Sequence, residues 1–268
     1  MIGVQPIGPL QLALASGFLL VAAGLSLGLS LGLTRSLTVA AVRAYLQLLA
    51  LGLVLGWVFT IRSPLLVVLI LLIMMAVAAH TLLSRVHGAP SGLYLRGFGA
   101  IALSGFTVTF AVTGWVIGVE PWYEPRYVIP IAGMVVGNSL NGMAVCLDRL
   151  FGDLRARAGE IEALLALGAR PWETVLPSAR AALKAGLIPT LNSMSAAGIV
   201  FIPGMMTGQV LSGVDPKVAA AYQIVVLLMI SAATALGTIV AVLAGYRRSF
   251  DRDERFVLAG PGGGGARR

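Results

Sequence analysis

Pro64-Leu65-Leu66-Val67-Val68-Leu69-Ile70-Leu71-Leu72-Ile73-Met74-Met75-Ala76-Val77-Ala78-Ala79-His80-Thr81-Leu82-Leu83 contains no Asp, Glu, Lys or Arg. A bilayer core about 30 Å thick is crossed by a helix of roughly 20 mostly apolar residues. This stretch therefore reads as a membrane span, and Ser63-Pro64 before it reads as an N-cap followed by a first-turn proline. The rest of the chain has the same character. Of its 268 residues, 58% are hydrophobic and 11% charged, with a mean hydropathy of +0.92. A soluble domain carries about 45–50% apolar and about 25% charged residues. So little charge cannot cover so much apolar surface in water. A soluble enzyme, a disordered chain and a nucleic-acid-binding domain are excluded. The single cysteine, Cys146, cannot form an intrachain disulfide.

Working outward, the sequence predicts an all-α, polytopic membrane protein with about seven spans. They are Leu10–Leu33, Leu37–Phe59, Pro64–Leu83, Gly97–Val119, Tyr127–Leu147, Lys184–Leu211 and Val218–Tyr246. The first is longer than a signal-peptide core and follows no basic stretch, so it is expected to be a retained helix. Asp215-Pro216 is expected to cap and open the seventh.

The formal charge of +8 then reads as topology. Arg62, Arg126 and Lys217 fall on one side of the spans, and the other 16 of the 19 basic residues fall on the opposite side. Cytoplasmic loops carry the excess of Lys and Arg. The N-terminus is therefore expected outside and the C-terminus in the cytoplasm, with the chain multi-pass in the inner (plasma) membrane. Residues 1–250 read as one transmembrane domain, and 251–268, ending in the Gly-rich Gly260–Arg268, as a flexible cytoplasmic tail.

The one sizeable hydrophilic feature is the cytoplasmic segment 150–183, between spans five and six. Ile161, Leu164, Leu165 and Gly168 follow helical spacing, which gives a short helix one apolar face. Glu160 and Glu162 sit in its first turn, where the helix dipole favours acids. Gly168 suits its C-terminal stop, and Pro171 suits the start of a second helix. Pro177 within that second helix predicts a kink or break. The pair either covers the bundle end or membrane surface, or presents a docking helix to a cytosolic partner in helix-in-groove mode.

The residues Glu162-Ala163-Leu164, Gly168-Ala169 and Val175-Leu176-Pro177 resemble the EAA loop of ABC-transporter permeases. The Leu-Pro element comes four residues early here, and Leu164 replaces the third alanine. In that family the loop inserts a coupling helix into an ATPase subunit. The resemblance implies ATPase-coupling roles for Glu160, Ile161, Glu162, Leu164, Leu165, Gly168 and Ala169. Further motifs lie in the spans: Arg43-Ala44-Tyr45-Leu46-Gln47-Leu48, Val128-Ile129-Pro130-Ile131-Ala132-Gly133-Met134 with Gly137-Asn138, Leu187-Ile188-Pro189-Thr190, Pro203-Gly204-Met205-Met206-Thr207-Gly208, and Tyr222-Gln223-Ile224. Together, from about Arg35 to Phe250, they resemble the FetB family of permeases, which includes a bacterial iron exporter and plant aluminium-tolerance proteins. The resemblance implies an ABC permease subunit that pairs as a homodimer with separate cytosolic ATPases. It would export a metal ion, with iron suspected, or a small solute.

The chain has no G-x-x-x-x-G-K-[ST] loop, and its two lysines, Lys184 and Lys217, follow no glycine-rich stretch. It is therefore read as a transport subunit and not an enzyme, with no cofactor of its own and with ATP and Mg on the partner. An ATPase-independent secondary transporter or channel is the alternative. A rhomboid-type protease would need a Gly before Ser104-Gly105 and a later His, yet His80 and His87 both come earlier.

Candidate pathway residues are the polar and soft ones inside the spans. Asn138 and Asn141 share a helical face with Met134. They either hydrogen-bond between helices or line a pathway. Asn192 precedes Pro203-Gly204, where the sixth span should break and expose carbonyls that must face protein or water. Met205 and Met206 stand at that break as packing filler or as soft metal ligands. Glu120 and Glu124, in the outer loop, are the remaining candidate donors for a cation.

Overall fold

A computed structural model describes residues 7–60, 63–90 and 92–258. Arg62, Arg267 and Arg268 of the charge count, and the tail from residue 259 on, lie outside the described residues. The fold is all-helical: α1 (Pro9–Gly28), α2 (Thr34–Val58), α3 (Pro64–Ser84), α4 (Leu93–Ala111) with a π-helical extension (Val112–Ile117), α5 (Pro125–Ala156), α6 (Ala158–Ala166), α7 (Pro171–Ala196), α8 (Gly204–Leu211) and α9 (Pro216–Tyr246). Among the described residues six helices are long and apolar enough to cross a membrane: α1, α2, α3, α4 with its extension, α5 and α9. The chain is a multi-pass membrane protein.

Proline opens α1, α3, α5, α7 and α9, at the position where its missing N–H costs nothing. Asp215 caps α9 by accepting the Lys217 N–H at 2.8 Å, as expected. Ser63 occupies the N-cap position of α3 in extended conformation, without a side-chain bond.

The described residues fall into two compact units, whose boundary runs through α8. The first holds α1 and α2 with Gly208–Val214. Its helical hairpin closes over Leu29–Leu33, where Ser30 and Gly32 take left-handed backbone angles. The Ser26 hydroxyl accepts the Leu33 N–H at 3.1 Å and the Thr34 hydroxyl at 3.2 Å. Tyr45 ties α2 to α1 through Ser16 Oγ at 2.8 Å and the Leu12 carbonyl at 3.2 Å.

The second unit is built around α5, which packs on α3, α4, α7 and α9. One buried cluster gathers Met75, Leu82, Ile101, Met143, Leu147, Phe151, Leu154, Ile161 and Val175. A second gathers Val108, Val112, Ile131, Val135, Val226, Met229 and Ala233. Small residues let the helices approach closely. A Cβ on Gly142 would lie 2.9 Å from the Gly186 carbonyl oxygen, and one on Gly105 would lie 2.9 Å from Met75 Cε. Membrane interfaces favour such contacts because lipid supplies no hydrophobic drive between helices.

Three boundaries differ from the sequence expectation. The helix of the fifth span does not end with the expected span at Leu147, because α5 continues to Ala156. The helix opened by Pro171 runs through Pro177 and Pro189 to Ala196, so it joins segment 150–183 to the sixth span. Pro177 makes no break because it and Glu173, whose carbonyl it leaves unbonded, are both exposed, and other groups can satisfy that carbonyl. The sixth span does break, but at Ala197–Pro203 rather than at Pro203-Gly204, with Gly198 at φ +80°. In addition, residues 251–258 of the expected tail fold back. The Val257 N–H bonds the Ser249 carbonyl at 2.9 Å, and Phe256 and Leu258 join the first cluster.

Candidate functional site

The cytoplasmic-loop candidate, segment 150–183, takes shape where α5 ends. Ile161 is fully buried and anchors α6 in the first cluster, while Leu164 and Leu165 are half-buried beside it. Arg157 clamps the helix in place. Its guanidinium forks onto Glu160 at 2.7 and 2.9 Å and donates to Ser178 Oγ of α7 at 2.7 Å. The bond from Arg157 holds the Glu160 carboxyl below the usual carboxylate range, and Glu160 raises the Arg157 guanidinium in turn. Gly168 ends the helix at φ +90°. The Ala169 N–H reaches the Leu164 carbonyl at 3.0 Å, and the Gly168 N–H reaches that of Leu165 at 2.9 Å. This is a Schellman closure, and its left-handed position favours glycine. Glu162, Ala163 and Ala166 are exposed, and the tip residue Leu167 is 85% exposed.

Beside this tip lies a groove that sequence reasoning missed. Glu162, Leu165, Gly168 and Ala169 face Asp253, Glu254, Arg255 and Phe256 across it. The C-terminal wall is held by a run of edge-to-face rings. Trp172 to Tyr246 is 5.0 Å, Tyr246 to Phe250 is 6.1 Å and Phe250 to Phe256 is 5.6 Å. The available signal was the aromatic pair Phe250 and Phe256 flanking a polar turn.

Asn138 and Asn141 both lie on an exposed face of α5. The Asn138 amide donates to the Met134 carbonyl of its own helix at 2.8 Å. Asn141 Oδ1 accepts from Arg85 Nη1, at the end of α3, at 2.7 Å. Two further bonds tie the same turn to α5. Asp148 accepts the His87 N–H at 3.0 Å and lies 3.1 Å from His87 Nδ1. Arg155 donates to the His87 carbonyl at 3.1 Å and to that of Gly88. Asn141, Asp148 and Arg155 recur every seven residues, so one side of α5 carries all three clamps. Arg85 and Arg155 entered the sequence reading only through the charge count and His87 only through the protease comparison; the seven-residue repeat of Asn141, Asp148 and Arg155 marks one side of α5 but not the partners it meets.

The structure brings Met134 and Met205 to the second cluster, where both are half-buried packing residues. Met206, next to Met205 in sequence, is half-buried, while Asn192 is exposed on α7. Pro203 and Gly204 stand at the start of α8, where the Thr207 hydroxyl bonds the Pro203 carbonyl at 3.2 Å. Glu124 is the N-cap of α5, and Glu120 is exposed beside Trp122. Among the described residues no group of three His, Cys, Asp or Glu could hold a metal ion.

Comparison with known proteins adds the following. A family model described as "Uncharacterised protein family (UPF0014)" matches residues 9–250. The UPF0014 membrane protein slr1647 of Synechocystis is 36% identical over 221 residues, covering 82% of this chain and 85% of its own. The protein ALUMINUM SENSITIVE 3 of Arabidopsis thaliana is 36% identical over 193 residues, covering 72% and 69%. The probable iron export permease protein FetB of Escherichia coli is 32% identical over 216 residues, covering 81% and 82%. No solved structure matches.

Proposed function

The chain belongs to the UPF0014 family of membrane proteins, and from that membership we propose that it is the permease subunit of an ABC transporter. It works with a separate cytosolic ATPase to export a metal ion, iron by analogy with the Escherichia coli relative, or a small solute. It acts as a homodimer in the inner (plasma) membrane, with its N-terminus outside and its C-terminus in the cytoplasm. ATP and Mg belong to the partner, and this chain carries out transport without catalysis of its own.

One observation carries the reading. Helix α6 has a buried anchor, Ile161, and a side-chain clamp, Arg157, yet presents an apolar tip, Leu167, at 85% exposure. A helix held that firmly with its tip bare suits insertion into a partner's groove. The pathway is assigned to the exposed face of α5 with Met134, Asn138 and Asn141, together with Asn192 and the break before Pro203, Gly204, Met205 and Met206. Carbonyls freed at such a break are tolerated in a membrane where protein or water covers them.

The test is reconstitution with candidate ATPases in liposomes. Gly168→Arg and deletion of 160–168 are expected to abolish ATPase stimulation while the chain still inserts. Full transport with no ATPase present would replace this reading with a secondary transporter or channel.

A further inference from the structure

Arg85 is the C-cap residue of α3, and its side chain reaches back to Asn141, two turns before the Asp148 that holds His87. Its partner, Asn141, stands six residues before Leu147, or about 9 Å inside the expected end of the fifth span at roughly 1.5 Å per residue. An interfacial arginine ordinarily extends the other way, toward the headgroups. The turn that carries it cannot drift, since Asp148 and Arg155 hold His87 and Gly88 against α5.

The guanidinium has five N–H donors in a fork that fits carboxylate and phosphate. Here it bonds one neutral amide oxygen at 2.7 Å, and among the described residues no Asp or Glu pairs with it. A cation at membrane depth is costly without a counter-charge. The same exposed face of α5 carries Asn138 one turn away and no carboxylate between Met134 and Leu147. The guanidinium would repel a bare metal cation and, with the amide N–H donors of Asn141 beside it, attract an oxyanion.

We propose that Arg85 and Asn141 form an oxyanion-binding site at the cytoplasmic mouth of the pathway, which takes a carboxylate or phosphate group carried by the cargo. The assignment rests on the permease reading and its orientation. It narrows the cargo to anionic solutes and to metals held within anionic complexes. A lipid phosphate has the same chemistry, so the test separates the two sources.

The full chain is placed in nanodiscs of phosphatidylcholine alone, and thermal unfolding is followed during titration with citrate, inorganic phosphate or MnCl2 at fixed ionic strength. Citrate or phosphate is expected to stabilise the wild type saturably, and MnCl2 is not. Arg85→Gln should weaken that response by about tenfold or more, the loss of one charged hydrogen-bond partner. Arg180→Gln, at an exposed site, should leave it unchanged. If Arg85→Gln fails to fold, Asn141→Asp serves instead. It gives the guanidinium an internal carboxylate and should suppress the response with the arginine still present. An unchanged citrate response in both variants overturns the site. So does saturable stabilisation by MnCl2 alone. A response seen only with phosphatidylglycerol in the disc, and not displaced by citrate, overturns the cargo assignment in favour of a headgroup. Absent ATPase stimulation with an intact citrate response would sink the ABC reading and leave this site standing.

Discussion

Gly142 and Gly186 meet backbone to backbone across α5 and α7, and a Cβ on Gly186 would lie 2.7 Å from the Gly142 carbonyl oxygen. The same atom would lie 2.8 Å from Cys146 Cβ. Neither neighbour is the far end of a flexible side chain, so the helices themselves would have to part. Gly186→Ala is expected to destabilise the protein by about 1–3 kcal/mol, the usual cost of overpacking. Gly99→Ala, an exposed α4 position where a Cβ meets nothing within 4 Å, should be neutral or slightly stabilising. Thermal unfolding in nanodiscs decides it, and equal effects at the two positions would refute the close crossing.

The Arg157–Glu160 clamp should respond to acid. Glu160 titrates lower in the folded protein than in the unfolded chain. Its contribution is therefore complete above the ordinary carboxylate range and disappears as pH falls through the lowered folded value. Hydrogen exchange of 158–166, corrected for intrinsic rates, should show protection at neutral pH that drops in that acid window. Glu160→Gln should show the reduced protection at every pH. A wild type and variant with the same profile would show that the fork does not hold α6.

Leu167 should matter for the partner and not for the fold. Its side chain is 85% exposed, so Leu167→Ala should shift stability by no more than about 0.5 kcal/mol. Binding to the ATPase, measured by co-purification and titration, should weaken about tenfold, as for an apolar interface anchor. Undiminished binding would place the contact elsewhere on the segment.

Phe256 tests the folded-back C-terminal stretch. Phe256→Ala removes a buried ring that meets Phe250 edge-on at 5.6 Å. A loss of about 2–4 kcal/mol is expected on thermal unfolding, near the lower end of buried aromatic truncations. Arg252→Ala, exposed in the same stretch, should change little. If both are silent, the stretch is not packed as described.

Much of the fold could be read because membrane spans announce themselves by length and hydropathy, and five helix starts carry a proline. The Gly168 stop was also legible, since its left-handed backbone is a local requirement. The break in the sixth span was half legible. Pro203 marked its far side, but unwinding begins at Ala197, where Gly198 turns to φ +80° and the Val200 N–H takes the Ala196 carbonyl at 2.8 Å. In a sequence, a glycine that unwinds a span looks the same as one that packs, such as Gly142. The side-chain clamps were not legible, because each joins residues distant in the chain: Arg157 with Ser178, His87 with Asp148, Arg85 with Asn141. Charge counting assigned Arg85 and Arg157 to a side of the membrane and could say nothing of their partners.

Helix α5 runs unbroken for 32 residues, about 48 Å at roughly 1.5 Å per residue. That exceeds the hydrocarbon thickness by more than half. One residue separates its last turn from α6, and three side-chain clamps bind the α3–α4 turn along its side. In the permease proposed above it would serve as a lever, with its short arm toward the partner ATPase and its long arm carrying Asn138 and Met134. A thrust on α6 would therefore reach the interior as a tilt of one stiff shaft, with the α3–α4 turn riding on it.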